Sequence, residues 1–96
     1  MEVVKKGWRQ FLHWCHQAED EKQLTALLDL VLTPEEKNDI ATRCLIIKEL
    51  LAKEASQRDI AKNLNVSIAK ITRGSNELKR MKTAIIQYVR KNILPS

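Results

Sequence analysis

The stretch SQRDIAKNLNVSIAKITRGS, residues 56–75, decides the reading of this chain. It reads as two short helices joined by a tight turn, the helix-turn-helix that sets one helix in the major groove of DNA. Ile60, Ala61, Leu64, Val66, Ile71 and Gly74 fall where such a unit needs its buried face. Ala61 is small where the two helices cross closely. Asn65 sits at the turn, where a left-handed backbone is usual and Gly or Asn adopts it most cheaply. Arg58, Lys62, Ser67, Lys70, Thr72 and Arg73 fill the outward positions.

Charge agrees with this reading. From Ser56 onward nine bases face only two acids, Asp59 and Glu77, a net +7 within a chain of +5. Residues 1–55 therefore carry a net −2. A basic half on a mildly acidic scaffold suggests a nucleic-acid face, and its coincidence with the helix-turn-helix makes double-stranded DNA the expected partner. Ninety-six residues with two glycines and two prolines predict one small all-α domain.

Outward from the motif, helical spacing recurs. Val4, Trp8, Phe11, Leu12 and Cys15 predict an amphipathic helix over residues 2–18. A second starts near Asp20 or Glu21 and carries Leu24, Leu27, Leu28 and Val31. Thr33, Pro34 and Glu36 form a start signal: Thr33 caps, Pro34 suits the first helical position, and Glu36 reaches back to the Thr33 amide. That third helix carries Ile40, Cys44, Ile47, Leu50 and Leu51 to about Lys53. Ser56 opens the fourth helix, Ser67 the recognition helix, and a last helix is expected over residues 82–93, with Pro95 beyond its end. The parts are dimerisation helices (1–53), the helix-turn-helix (56–78) and the C-terminal helix (82–93).

Trp8, Phe11, Leu12, Trp14, Leu24, Leu27 and Leu28 exceed what a three-helix reading head covers. A homodimer covers them and presents two recognition helices to a two-fold site. The alternative is that the N-terminal helices fold back within one chain.

The recognition-helix start, Ser67-Ile68-Ala69, is small and free of carboxylates, so its amides suit a phosphate or a base edge. Thr72 offers a hydroxyl and a methyl one turn later. Arg58 can fork a guanine edge, while Lys62, Lys70 and Lys79 suit phosphates. Gly74 lies inside a helical pattern, so something approaches the backbone there: a packed helix or a ligand. No catalytic constellation or phosphate loop is present, which predicts a non-enzyme. His13, Cys15 and His16 lack a further ligand, so no metal is expected. No apolar run nears the about 20 residues of a membrane span, the N-terminus lacks a secretory pattern, and Cys15 and Cys44 read as reduced thiols. A cytoplasmic protein is expected.

ITRGSN (71–76), SQRDIAKNL before it, LTPEEKNDIATR (32–43) and the Leu-rich LLDLVL together resemble the tryptophan repressor family. The resemblance covers roughly residues 24–79 well and the first helix loosely. It implies an intertwined all-helical homodimer that represses tryptophan-related genes with L-tryptophan as corepressor. By position it implies that Arg43 and Arg73 sandwich the indole and that Arg43 pairs with the carboxylate. Thr33 from the partner chain helps hold that carboxylate. Carbonyls near Leu28, Leu30 and Leu32 accept from the ammonium, and Gly74 lets the ring come close. Guanidinium planes stack on aromatic rings and fork carboxylates, so the arrangement is physically coherent.

Two positions depart from the family pattern. Lys70 stands where a threonine is expected and Glu77 where a small hydroxyl residue is expected. Glu77 has three open roles: pairing with the ligand ammonium, pairing with Arg73, or pointing to solvent. Two other readings of the chain remain, a constitutive DNA-binding protein and a basic protein-interaction module.

Overall fold

The computed structural model describes residues 1–93. Over them the chain forms six helices and no strand: α1 (Glu2–Gln17), α2 (Glu21–Val31), α3 (Pro34–Ala52), α4 (Gln57–Leu64), α5 (Ile68–Arg80) and α6 (Thr83–Asn92). The all-α expectation is met. The recognition helix runs two residues past its expected end at 78, to Arg80. Pro95 lies outside the described residues.

Short polar residues start most of these helices. Asp20 Oδ1 accepts from the Gln23 amide at 2.8 Å. At α3, Thr33 Oγ1 accepts from the Glu36 amide at 3.1 Å while Glu36 Oε1 accepts from the Thr33 amide at 2.9 Å, a closed capping box. Ser56 Oγ and Ser67 Oγ accept from the Asp59 and Lys70 amides. Each such cap contributes about 1 kcal/mol.

Left-handed residues stop two of them. Lys53 follows α3 with φ 55°. Asn65 follows α4 with φ 56° and ψ 47°. Beyond it, the Val66 amide donates to the Ala61 carbonyl at 3.0 Å, and the Asn65 amide donates to Lys62 at 3.2 Å. This pair of bonds is a Schellman stop, and Val66 completes it by packing back onto the core. The stop turns the chain sharply enough for α5 to lie against α4.

Contacts divide the chain into two units, Met1–Lys37 and Asn38–Ser96. In the first, α1 packs against α2, yet neither helix has a buried residue. Trp8 is 60% exposed, Leu12 50% and Trp14 43%. The Trp8 and Phe11 rings stack at a tilt, with centroids 5.4 Å apart. Lys37 pairs with Asp29. In the second unit, Ile46 of α3, Ile60 and Ala61 of α4 and Ile71 of α5 form a core, joined by Leu50, Ala55, Leu64 and Val66. Ile60 and Ile71 are fully buried. Each such isoleucine stabilises the fold by about 1.5–3 kcal/mol.

Gly74 is where α5 meets α3. A Cβ there would stand 3.0 Å from Ile46 Cγ2 and 3.5 Å from Leu50 Cδ1. Of the two explanations open from sequence, tight helix packing is the one this geometry supplies. Glycine costs a helix about 1 kcal/mol relative to alanine. Here it lets two helices approach that carry arginines on the same cavity.

Candidate functional site

One stripe of α5 faces a cavity. Lys70, Arg73, Gly74, Glu77 and Leu78 line it, with Met81 just past the helix end. Their spacing of three and four residues places them on one side of the helix. From α3 the lining is Asp39, Thr42, Arg43, Ile46, Ile47 and Leu51. From α6 come Ile85, Ile86 and Val89. The cavity measures about 780 Å³, inside the about 300–1,000 Å³ of ordinary small-molecule sites.

The chemistry of that lining has two parts. Ile46, Ile47, Leu51, Leu78 and the α6 residues make an apolar floor for a hydrophobic body. Arg43, Lys70 and Arg73 bring positive charge, and Asp39 and Glu77 bring negative charge. A molecule with an apolar body, a carboxylate and an ammonium matches this set. Arg43 and Arg73, distant in sequence, line the same cavity, and Gly74 lies beside Arg73. The Glu77 carboxylate accepts from Arg80 Nη1 at 2.9 Å. Arg80 is a partner that the spacing to Arg73 did not suggest.

The opposite side of α5 is different. Ile68, Thr72 and Lys79 point away from the cavity stripe, since they sit half a helical turn from it. All three are exposed, as are Ser67, Ala69, Arg58 and Lys62. Ser67 is engaged as the cap of α5, and its helix start carries no acidic residue. Thr72 Oγ1 donates to Gln57 Oε1 at 3.3 Å, tying the recognition helix to the first turn of α4 beside Arg58. Sequence reasoning missed Gln57, because a contact across 15 residues leaves no periodic trace. Lys70, expected among the DNA-facing cations, lines the cavity instead of sharing the face of Thr72. Asp39 and the α6 residues were also not singled out for a site.

In the first unit, Thr33 is exposed and its oxygen is used by the capping box, which leaves its hydroxyl proton free to donate. The Leu28 carbonyl accepts from the Leu32 amide at 2.8 Å. Leu30, which is 79% exposed, sits in the last turn of α2, where a helix leaves carbonyls without intrahelical donors. Among the described residues no group of three or more His, Cys, Asp or Glu is placed to hold a metal. Among those residues, too, no helix is long and apolar enough to cross a membrane.

Comparison with known proteins finds relatives over most of the chain. A family model described as Trp repressor protein matches residues 6–93. A Trp operon repressor homolog of Chlamydia trachomatis serovar D is 43% identical over 89 residues, covering 93% of this chain and 95% of its own length. One of Mannheimia succiniciproducens is 41% identical over 85 residues, covering 88% and 84%. One of Vibrio campbellii is 45% identical over 74 residues, covering 77% and 74%. The helix-turn-helix, its basic face and these matches define a DNA-binding transcription regulator of the repressor class. The chain belongs to the Trp repressor family.

Proposed function

We propose that this chain is a tryptophan-responsive repressor that binds a two-fold DNA operator as a homodimer, with L-tryptophan as corepressor. One observation carries the reading. The helix that presents Ile68, Thr72 and Lys79 outward presents Arg73, Gly74 and Glu77 to a cavity on its other side. A ligand in that cavity touches the back of the DNA-reading helix.

Arg43 and Arg73 stack their guanidinium planes on the indole, and Arg43 also forks the carboxylate. The partner subunit's Thr33 donates to the same carboxylate. Carbonyls at the end of α2, near Leu28, Leu30 and Leu32, accept from the ammonium, with Glu77 close to it. Gly74 holds α5 near α3, so both arginines reach one ring. A ligand gripped by both helices fixes the tilt of α5. Arg58, Ser67, Ile68, Ala69 and Thr72 then meet base edges, while Lys62, Arg73 and Lys79 approach phosphates.

The exposed apolar face of α1 and α2 supports the homodimer. Its lack of any buried residue leaves Trp8, Leu12 and Trp14 for a second copy to cover. Helix-turn-helix dimers, the Trp repressors among them, address half-sites about 34 Å apart. Fixing the tilt of two recognition helices fixes that spacing.

Fluorescence anisotropy on operator DNA at fixed salt tests the reading. Affinity is expected to rise by about 5–150-fold with saturating L-tryptophan, the usual range of allosteric coupling. Equal affinity with and without tryptophan rejects ligand control. Equal affinity for operator and unrelated duplex rejects the repressor reading itself.

A further inference from the structure

Glu77 carries this inference, which rests on the tryptophan-binding reading above. It stands on the cavity stripe of α5 one turn beyond Arg73, and its carboxylate is held by Arg80 at 2.9 Å. The ion pair is an exposed one, with side chains 51% and 74% accessible. Exposed pairs of this kind hold weakly. Arg80 does not line the cavity, whereas Glu77 does. The Glu77 carboxylate therefore has two places to go, outward to Arg80 or inward to a cation in the cavity.

The other charges decide what that cation belongs to. Arg43, Lys70 and Arg73 attract a carboxylate, and an aromatic acid alone satisfies them. Such an acid leaves the carboxylates of Asp39 and Glu77 facing a further negative charge. A zwitterion answers both signs. Its ammonium gives Glu77 a charge-assisted hydrogen bond in a site more enclosed than the Arg80 side.

We infer that Glu77 makes the cavity select indole amino acids over indole acids, and that Arg80 is a positioning residue that competes with the ligand ammonium for the Glu77 carboxylate. Selection then comes from one pairing exchanged for another. With an ammonium present, Glu77 leaves Arg80 and turns inward. With a deaminated acid, Glu77 stays on Arg80 and the acid gains nothing from it.

The test is isothermal titration of the dimer with two probes, L-tryptophan and indole-3-propionate, which differ only in the α-amino group. Wild-type protein is expected to bind tryptophan at least about tenfold more tightly, the worth of one charge-assisted hydrogen bond. In Glu77→Gln, which keeps the shape and loses the charge, that preference is expected to shrink about tenfold. In Arg80→Ala, Glu77 is freed, so tryptophan binds up to about fivefold more tightly while indole-3-propionate binds no better. A gain for tryptophan with none for indole-3-propionate is a readout that a merely structural Arg80 does not produce. An equal ratio of the two affinities in wild type and Glu77→Gln, with both probes bound, overturns the selection alone. Arg80→Ala tightening both probes alike overturns the positioning role. Failure of wild type to bind either probe overturns the tryptophan reading and the selection with it.

Discussion

Gly74 sets the distance between the two arginine-bearing helices, and substituting it tests that directly. A Cβ on residue 74 would meet Ile46 Cγ2 at 3.0 Å and Leu50 Cδ1 at 3.5 Å. The second contact is ordinary packing. The first requires Ile46 to retreat by a few tenths of an ångström, and Ile46 is only 4% exposed, wedged among Ile60, Ala61 and Ile71. For Gly74→Ala the gain in helix propensity, about 1 kcal/mol, opposes that squeeze, so stability is expected to change by less than about 1 kcal/mol. Gly74→Val pushes two further methyl groups toward the same wall. Overpacking of this sort costs about 1–3 kcal/mol. For a chain of this size each kcal/mol moves the melting temperature by about 4–8 °C. Function should suffer beyond stability. Arg43 lies one turn before Ile46 on α3, and Arg73 adjoins residue 74 on α5. Spreading the helices spreads the arginine clamp, so tryptophan affinity should fall in Ala and fall further in Val. Circular-dichroism melts and tryptophan titration at a temperature where all three proteins are folded measure both effects. A Val variant that melts with the wild type and binds tryptophan equally refutes the argument.

Three further outcomes are expected. Asn65→Ala places a Cβ residue without a local polar group at φ 56°, and should lose about 1 kcal/mol in urea unfolding, whereas Asn65→Gly should not. Lys79→Ala removes an outward cation of α5 and should lower the log–log salt slope of operator binding by about 0.9, whereas Lys70→Thr, on the cavity side, should lower it by less. Arg58→Ala should weaken operator binding by about 1–3 kcal/mol and relax preference at one base pair of each half-site, as read from a panel of single-base operator variants.

Local chemistry made much of the fold legible in the sequence. Thr33 and Glu36 sit three residues apart and bond reciprocally, and Asn65 marks the left-handed stop at which α4 ends. Caps and stops depend on neighbours in the chain, so spacing carries them. The site was less legible because its geometry is not local. Glu77 can reach along the helix in either direction, and only its side-chain conformation selects Arg80 over Arg73. Its charge places Lys70 outward in a reading of the sequence, yet helix phase turns it to the cavity with Arg73 and Glu77. The contribution of Ile85, Ile86 and Val89 to the cavity follows from where α6 lies, which no periodicity encodes. Gly74 signalled a close approach, but the identity of its neighbours, Ile46 and Leu50, needed three dimensions.

The central claim is that one helix couples the tryptophan cavity to the operator. Linkage makes that claim reciprocal: whatever factor tryptophan adds to operator affinity, operator must add to tryptophan affinity. The direct measurement is the dissociation constant of L-tryptophan for the dimer alone and for the dimer saturated with operator, at one salt concentration. The account predicts tighter binding to the complex, by the same factor that tryptophan raises operator affinity. Equal tryptophan affinity for free and DNA-bound protein contradicts it.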